Sequence, residues 1–349
     1  MSRRVLLTGG NGFIGSHILA QLLDSGFSVC CAVRTQEKGD KILRDFAVQQ
    51  DQLAITIVPN IVAPEAYRDA VQGTPPFDTV FHAASPFTYR DVQNNLEFLE
   101  PAIKGMLNLL KAVKDNAPSV KRVIWTGSCA SVIDYDQLTS DPPKIYTEED
   151  WNPITWEEAA HGDPSKAYRA SKLFAEREAW NFMKEEKPHY DLVTLCPPAT
   201  FGPLRHSISS IGDLNESNSR LWKLCFDSTK DAPMPYIPVH TYVDVRDLAA
   251  VQLKAMTVPE AGNQRFLVCA QQFGCQDICD ILRSRFAELS DRTPLGKPGT
   301  SSLPPGAYSV DNSKVKRLLG VEFRTLAETV ADVACCLLDI EHTEKQAHH

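Results

Sequence analysis

Val5-Leu6-Leu7-Thr8-Gly9-Gly10-Asn11-Gly12-Phe13-Ile14-Gly15 is the stretch whose reading decides the fold. Val5, Leu6 and Leu7 make a continuous apolar run, the pattern of a parallel strand buried on both faces. A glycine-rich turn follows directly. Beyond it, Ile14, Ile18 and Leu22, with Leu19 and Leu23 beside them, fall at helical spacing. Gly9 is placed for a tight turn out of the strand. Gly12 is placed to let backbone N–H groups approach a pyrophosphate, and Gly15 to let the helix pack closely. The helix start then offers free N–H groups and a positive dipole end to phosphates, next to Phe13 and Ile14. A purely structural turn also uses glycine. The strand before and the helix after are what mark a dinucleotide loop.

Working outward, Gly26 stops the first helix, and Phe27 to Val33 reads as a second strand ending at Arg34. A site that prefers the unphosphorylated dinucleotide places an acid at that end, about twenty residues past the loop. Here Arg34 stands there, with Lys38 one helical turn on. A guanidinium binds a 2′-phosphate through paired hydrogen bonds, where a carboxylate would repel it. The expected cofactor is therefore NADPH or its oxidised form NADP+; the alternative is an ordinary solvated cation at a strand end.

Leu53 to Val58 reads as a third strand, with Asn60 and Ile61 after it at the expected adenine end. Asn60 also suits a plain turn. Asp78 to Ala84 is a fourth strand whose small residues Ala83 and Ala84 let its end lie against the cofactor, running on into Ser85. A helix over 97–113 leads to a fifth strand, Val120 to Thr126, ending at Gly127-Ser128. Strand–helix alternation of this kind predicts an α/β fold, a Rossmann-type doubly wound parallel sheet with right-handed crossovers. Ligands lie at the carboxyl ends of such strands, so all these ends border one crevice.

A polar excursion, 134–164, carries Trp151 and Trp156, indoles suited to pinning a loop on the core or to lining a pocket. Asp163-Pro164 then caps a helix running to about Met183. Leu192 to Cys196 is a sixth strand. A short helix is expected over 220–226, a return to the main sheet over 241–256 and 265–268, a helix over 276–289 and a last one over 325–338. The expected organisation is a cofactor domain over 1–200 with the return segment 239–260. A smaller α/β substrate region comprises 201–238 and 261–349.

Net charge is −8 over 349 residues, which argues against nucleic acid or an anionic membrane as partner. No run approaches the ~20 apolar residues of a membrane span, and with no targeting segment legible the expected location is the cytoplasm. The ten cysteines are scattered through apolar runs and read as reduced, buried thiols. Cys275 and Cys279 share a helix face, yet nothing nearby completes a zinc site, so no metal is expected.

Tyr168 and Lys172 lie four apart on one helix face. A chance pair of this kind is common; its place on the helix after the fifth strand, with Ser128 ending that strand, gives it weight. Tyrosine, with a pKa of about 10, exchanges protons slowly at neutral pH. An adjacent ammonium favours the phenolate and brings the group into working range. Ser128 would hydrogen-bond the substrate oxygen as charge develops. This predicts hydride transfer from NADPH to a substrate whose oxygen takes its proton from Tyr168.

These residues bring the chain to a family. It resembles the extended short-chain dehydrogenases/reductases, and within them the dihydroflavonol reductase-like group, especially fungal and yeast NADPH-dependent aldehyde and ketone reductases. Besides the glycine loop, Arg34…Lys38 and Tyr168…Lys172, the likeness includes His82-Ala83-Ala84-Ser85-Pro86-Phe87, Trp151-Asn152-Pro153 and Val243-Asp244-Val245-Arg246-Asp247. It continues in Gly296-Lys297-Pro298-Gly299, Leu318-Leu319-Gly320 and Phe323-Arg324-Thr325-Leu326-Ala327-Glu328-Thr329. The resemblance implies reduction of an aldehyde or ketone, a Ser128–Tyr168–Lys172 triad and 2′-phosphate contacts from Arg34 and Lys38. Cofactor contacts also follow at Thr126, Pro197, Ala199 and Thr200, and a carbonyl-substrate pocket at Ser85, Phe87, Ile133 and Phe201 onward. Relatives in the group occur as monomers and homodimers.

The chain departs from the group at Gly127, where a first serine is usual and for which Ser131 is a candidate substitute. It departs again at Cys196-Pro197-Pro198-Ala199, where Asn-Pro is usual, and at Asn60, where Asp is common. His82 reads as a core histidine, while His161 and His240 read as loop residues that either touch substrate or do not. Two competing functions are a sugar-nucleotide epimerase or dehydratase on the same fold and a non-catalytic dinucleotide sensor.

Overall fold

The computed structural model describes residues 4–84 and 94–347. In chain order the first half contains β1 (Arg4–Thr8), α1 (Phe13–Asp24), β2 (Ser28–Val33), α2 (Gln36–Asp45), β3 (Leu53–Ile57), β4 (Thr79–His82), α3 (Leu96–Asn116) and β5 (Arg122–Thr126). There follow β6 (Ile145–Tyr146), α4 (Trp156–His161), α5 (Pro164–Glu186), β7 (Asp191–Cys196) and β8 (Ala199–Phe201). The remainder is α6 (Glu216–Leu221), β9 (Thr241–Asp244), α7 (Val245–Thr257), β10 (Gln264–Leu267), β11 (Gln271–Gln272), α8 (Cys275–Arg285), β12 (Ser309–Val310), α9 (Ser313–Leu319) and α10 (Leu326–Ala347).

Seven strands form one sheet in the order β10-β7-β5-β4-β1-β2-β3, and every pairing in it is parallel. This is the expected doubly wound sheet. The order reverses between β1 and β4, which opens a crevice at the carboxyl edge where those strands part. Buried apolar residues fill both faces. Leu7, Ile18, Leu22, Phe81, Leu248 and Phe266 lie in one layer; Leu6, Val80, Leu109, Val123 and Leu192 lie in the other. Alternation fails once: residues 58–78, between β3 and β4, run as turns rather than a helix. Pro64, Gly73, Pro75 and Pro76 interrupt helical hydrogen bonding there, and Tyr67, Val71 and Phe77 fill the space a helix would have covered.

The expected return to the main sheet holds only for 264–267. The strand at 241–244 belongs to a separate three-stranded sheet, β11-β9-β8. Pro197-Pro198 ends β7, and the chain peels away. Tyr242 of β9 then stacks on Phe201 of β8 at 6.3 Å between centroids, with Phe273 edge-on to both. That aromatic cluster seeds a third core, closed by α8 and α10. The short helix expected over 220–226 starts earlier, at Glu216, and its last turn, Trp222–Phe226, widens to π geometry. The final helix runs on to Ala347.

Candidate active site

The glycine turn closes with a hydrogen bond from the Gly12 N–H to the Gly9 carbonyl, 3.0 Å. Gly9 has φ +76°, and a Cβ on it would lie 2.6 Å from the Ala84 nitrogen. The end of β4 is thus pressed against the turn, where Ala83 and Ala84 donate their N–H groups to the Thr8 carbonyl and Thr8 Oγ1. A Cβ on Gly15 would stand 2.0 Å from the Gly9 oxygen. Gly12 differs, since a Cβ there would meet only the Gly9 oxygen, at 3.4 Å. Two glycines are demanded by packing. The third leaves open space above the helix start, a cradle that a side chain would fill.

Arg34 stands at the end of β2 and Lys38 in the first turn of α2, whose cap Thr35 accepts the Lys38 N–H. Both side chains are exposed, and among the described residues neither makes an ion pair. An anion near the switch point meets two cations whose charge is not already spent. Asn60 is exposed, and its side-chain oxygen accepts the Val62 N–H in a local turn. Ile61 packs inward over Gly105 and lines a small cavity with His82, Ala84, Trp125 and Lys172.

His82 is a core residue. Its Nδ1 lies 2.7 Å from Thr8 Oγ1, and burial, reinforced by the Lys172 charge, pulls its pKa down to about 3. The neutral ring therefore persists throughout the physiological range.

Asp163 caps α5 by accepting the Ser165 and Lys166 N–H groups, and Pro164 occupies the first turn. Tyr168 and Lys172 share one face of this helix, with Lys172 Nζ 5.6 Å from the Tyr168 ring centre. Lys172 is only 6% exposed. Burial depresses its pKa to about 8, because an ammonium out of water loses its hydration. Tyr135 lies close enough to Tyr168 for the two to interact electrostatically, and its own ring carries the Arg169 guanidinium at 4.5 Å.

Ser128 is half-buried at the end of β5, facing the start of a short 3-10 turn that packs against α5. Its Oγ accepts the Ala130 N–H at 3.1 Å. That bond uses a lone pair and leaves the hydroxyl proton for an acceptor in the crevice. The turn is held from three sides. The Cys129 N–H reaches the Pro197 carbonyl at 2.8 Å. The buried Asn152 amide donates to the Ala130 and Ile133 carbonyls at 3.0 and 2.8 Å. Below it lies a buried carboxylate, Glu176, paired with Arg265 at 2.9 Å.

Ser131 is not a substitute for the missing first serine. It is fully buried, its hydroxyl 2.5 Å from Glu176 Oε2 and 2.8 Å from the Ser128 carbonyl oxygen. Gly127 is explained by Cys196: a Cβ at 127 would already stand 3.3 Å from the Cys196 sulfur. Thr126 is buried beside Gln252, and Thr200 hydrogen-bonds the Pro198 carbonyl. Ala199 is half-buried at the start of β8. Ile133 and Phe201 are almost wholly enclosed, the first with Cys129, Val132, Tyr146 and Tyr308, the second in the aromatic cluster of the third core. Ser85 and Phe87 fall outside the described residues.

Trp151 pins the 134–164 excursion, with the Arg265 guanidinium stacked 3.7 Å from its ring centre. His240 is buried and stacks on Tyr308 at 5.3 Å, while His161 is exposed at the end of α4. All ten cysteines are free, and eight are buried.

Spacing had nothing to say about Glu176, Arg265 or Tyr135. Glu176 meets Thr194, Ser131 and Arg265 across 18, 45 and 89 residues, Tyr135 meets Arg169 across 34, and no local signal marks them.

A seven-stranded parallel sheet with a glycine cradle at its switch point and a Tyr–Lys pair beside the end of β5 defines an extended short-chain dehydrogenase/reductase. The chain belongs to the NAD dependent epimerase/dehydratase family, whose model matches residues 5–269. Among named relatives, the ketoreductase azaE of Aspergillus niger is 39% identical, over 97% of this chain and 98% of that protein. The NADPH-dependent methylglyoxal reductase GRE2 of Saccharomyces cerevisiae is 35% identical, over 97% and 98%. The crystal structure of yeast methylglyoxal/isovaleraldehyde reductase Gre2 complexed with NADPH superposes with a TM-score of 0.90 at 34% identity, covering 97% of this chain and 99% of that one. Among the described residues no helix is long and apolar enough to cross a membrane.

Proposed function

We propose that this chain reduces an aldehyde or ketone to the alcohol, with NADPH as hydride donor and Tyr168 as proton donor. The observation that carries the reading is the half-buried phenol of Tyr168 next to a buried lysine, on the helix that packs against the Ser128 turn. The relatives' names, ketoreductase and NADPH-dependent methylglyoxal reductase, support the same chemistry.

The residues present fit the cofactor. The Gly12 cradle and the α1 N-terminus would take the pyrophosphate. Arg34 and Lys38 would take the 2′-phosphate. The crevice edge at Ala83, Ala84, Thr126, Pro197, Ala199 and Thr200 would border the remainder. When bound, NADPH supplies the hydride that reaches the carbonyl carbon. Ser128 holds the carbonyl oxygen with its unused hydroxyl proton, where negative charge grows. Tyr168 gives that oxygen its phenolic proton. Lys172 stabilises the phenolate left behind and lowers the energy of the transfer. The proton balance closes when the phenolate is reprotonated from solvent.

The test follows NADPH absorbance with a panel of small aldehydes, diketones and aryl ketones, against NADH as control. The proposal expects turnover with at least one carbonyl class and a preference for NADPH. Absence of turnover throughout the panel, by a protein that binds NADPH, would overturn it.

A further inference from the structure

We infer that Glu176 is a positioning residue for the proposed reduction: through Ser131 it sets where Ser128 stands relative to Tyr168. The inference rests on the carbonyl-reductase reading. Glu176 lies one helical turn beyond Lys172 on α5, and is fully buried. Its two oxygens are divided between elements. Oε1 accepts Thr194 Oγ1 of β7 at 2.8 Å and Arg265 Nε of β10 at 2.9 Å. Oε2 meets Ser131 Oγ at 2.5 Å and the second Arg265 nitrogen at 3.1 Å. Ser131 in turn meets the Ser128 carbonyl through its N–H, 3.0 Å, and its single hydroxyl proton is shared between that carbonyl, at 2.8 Å, and the carboxylate.

One carboxylate therefore ties the helix carrying Tyr168 and Lys172 to the turn carrying Ser128, and both to two strands of the sheet. The arginine is itself fixed. It lies over Trp151 and donates to the Glu148 and Asp150 carbonyls at 2.9 and 2.6 Å. Cys196 adds its thiol 3.6 Å from both carboxylate oxygens. A buried ion pair gives little net stability, because desolvation cancels much of the attraction. What it gives here is direction: a charged acceptor of fixed position, with each neighbour hydrogen-bonded to it. Hydride transfer is sensitive to such placement, since an error of about 1 Å at a catalytic group costs on the order of 100-fold in rate.

The test uses the full-length protein with three variants, Ser131→Ala, Glu176→Gln and the double variant Glu176→Gln with Arg265→Met. Ser131→Ala cuts the link alone and leaves the ion pair, so it folds even if Glu176→Gln does not. Its expected result is a fall in kcat of about tenfold with NADPH affinity unchanged. In the protein without cofactor, amide hydrogen exchange should rise over 129–133 and not over β7. The double variant removes the stranded charge, and should regain melting temperature without regaining kcat. Two results overturn the inference: kcat that follows melting temperature across the variants, or Ser131→Ala with wild-type kcat and exchange. Failure of the carbonyl-reductase reading would look different, as no turnover in the unaltered protein.

Discussion

The two banks of the crevice are built by different physics. On the β1–β2 bank, backbone does the work. Gly9 and Gly15 are required because a Cβ would collide with peptide atoms at 2.6 and 2.0 Å, and the cations Arg34 and Lys38 stand exposed at strand and helix ends. On the β5–β7 bank, buried side chains do it. Lys172, Glu176, Arg265, Asn152 and Ser131 are all under 9% exposed and hold the Ser128 turn from below. The first bank is rigid by sterics and presents charge to water. The second is rigid by hydrogen bonding around charges withdrawn from water, Lys172 among them with its pKa lowered by burial, so a substitution there acts on chemistry more than on shape.

The sharpest break in that comparison is Lys172→Met. It removes the ammonium proposed to favour the phenolate, and kcat should fall by about 100-fold or more. Stability should move the other way. Burial lowers the folded lysine's pKa from 10.5 to about 8, so below pH 8 the fold bears the full cost of an enclosed charge. Between about 8 and 10.5 that cost is relieved with rising pH, because the unfolded chain still holds the proton and the folded one does not. The cofactor-free variant should therefore melt higher than the unaltered protein at pH 7, by an amount on the order of 3 kcal/mol at most, and no higher at pH 10.5. Calorimetry at the two pH values checks the sign.

On the other bank, Gly15→Ala should cost about 3 kcal/mol of stability, because the new carbon meets the Gly9 carbonyl and the turn must open. NADPH binding should weaken with it, and no pH dependence should appear; thermal melts at pH 6 and 9 test this. The pH profile separates the banks again. With Lys172 deprotonating near 8, kcat/KM for reduction should be level below about pH 7 and decline above 8, while NADPH affinity stays flat across that step. The smallest expected effect is Arg34→Ala. An exposed guanidinium is screened by solvent, so NADPH affinity should drop about tenfold, with NADH affinity unchanged in fluorescence titrations.

The same contrast explains what was legible in the sequence. The glycine turn, Arg34 and the Tyr168–Lys172 spacing are local patterns set by steric rules within one turn of chain, and each stands in a strand end or helix face as read. The sheet followed from the alternation of apolar runs with helical spacing. What escaped is what distance in sequence hides. The strand at 241–244 was placed in the wrong sheet because an apolar run does not name its neighbour; Phe201 and Phe273 decide that. Helix α2, rich in charge and poor in apolar residues, left little periodicity to read. In the sequence Glu176 is one acid among several on its helix; only the fold brings Ser131, Thr194 and Arg265 around it. Ser131, a candidate stand-in for the first serine that Gly127 replaces, instead holds up the turn on which Ser128 stands.

The central claim is that Tyr168 supplies the proton within a crevice that binds NADPH independently of it. Measuring kcat for carbonyl reduction and, by calorimetry, NADPH affinity in Tyr168→Phe tests both halves at once. The account predicts a loss in kcat of about 1,000-fold with the dissociation constant for NADPH within a factor of about two. Turnover comparable to that of the unaltered protein would contradict it.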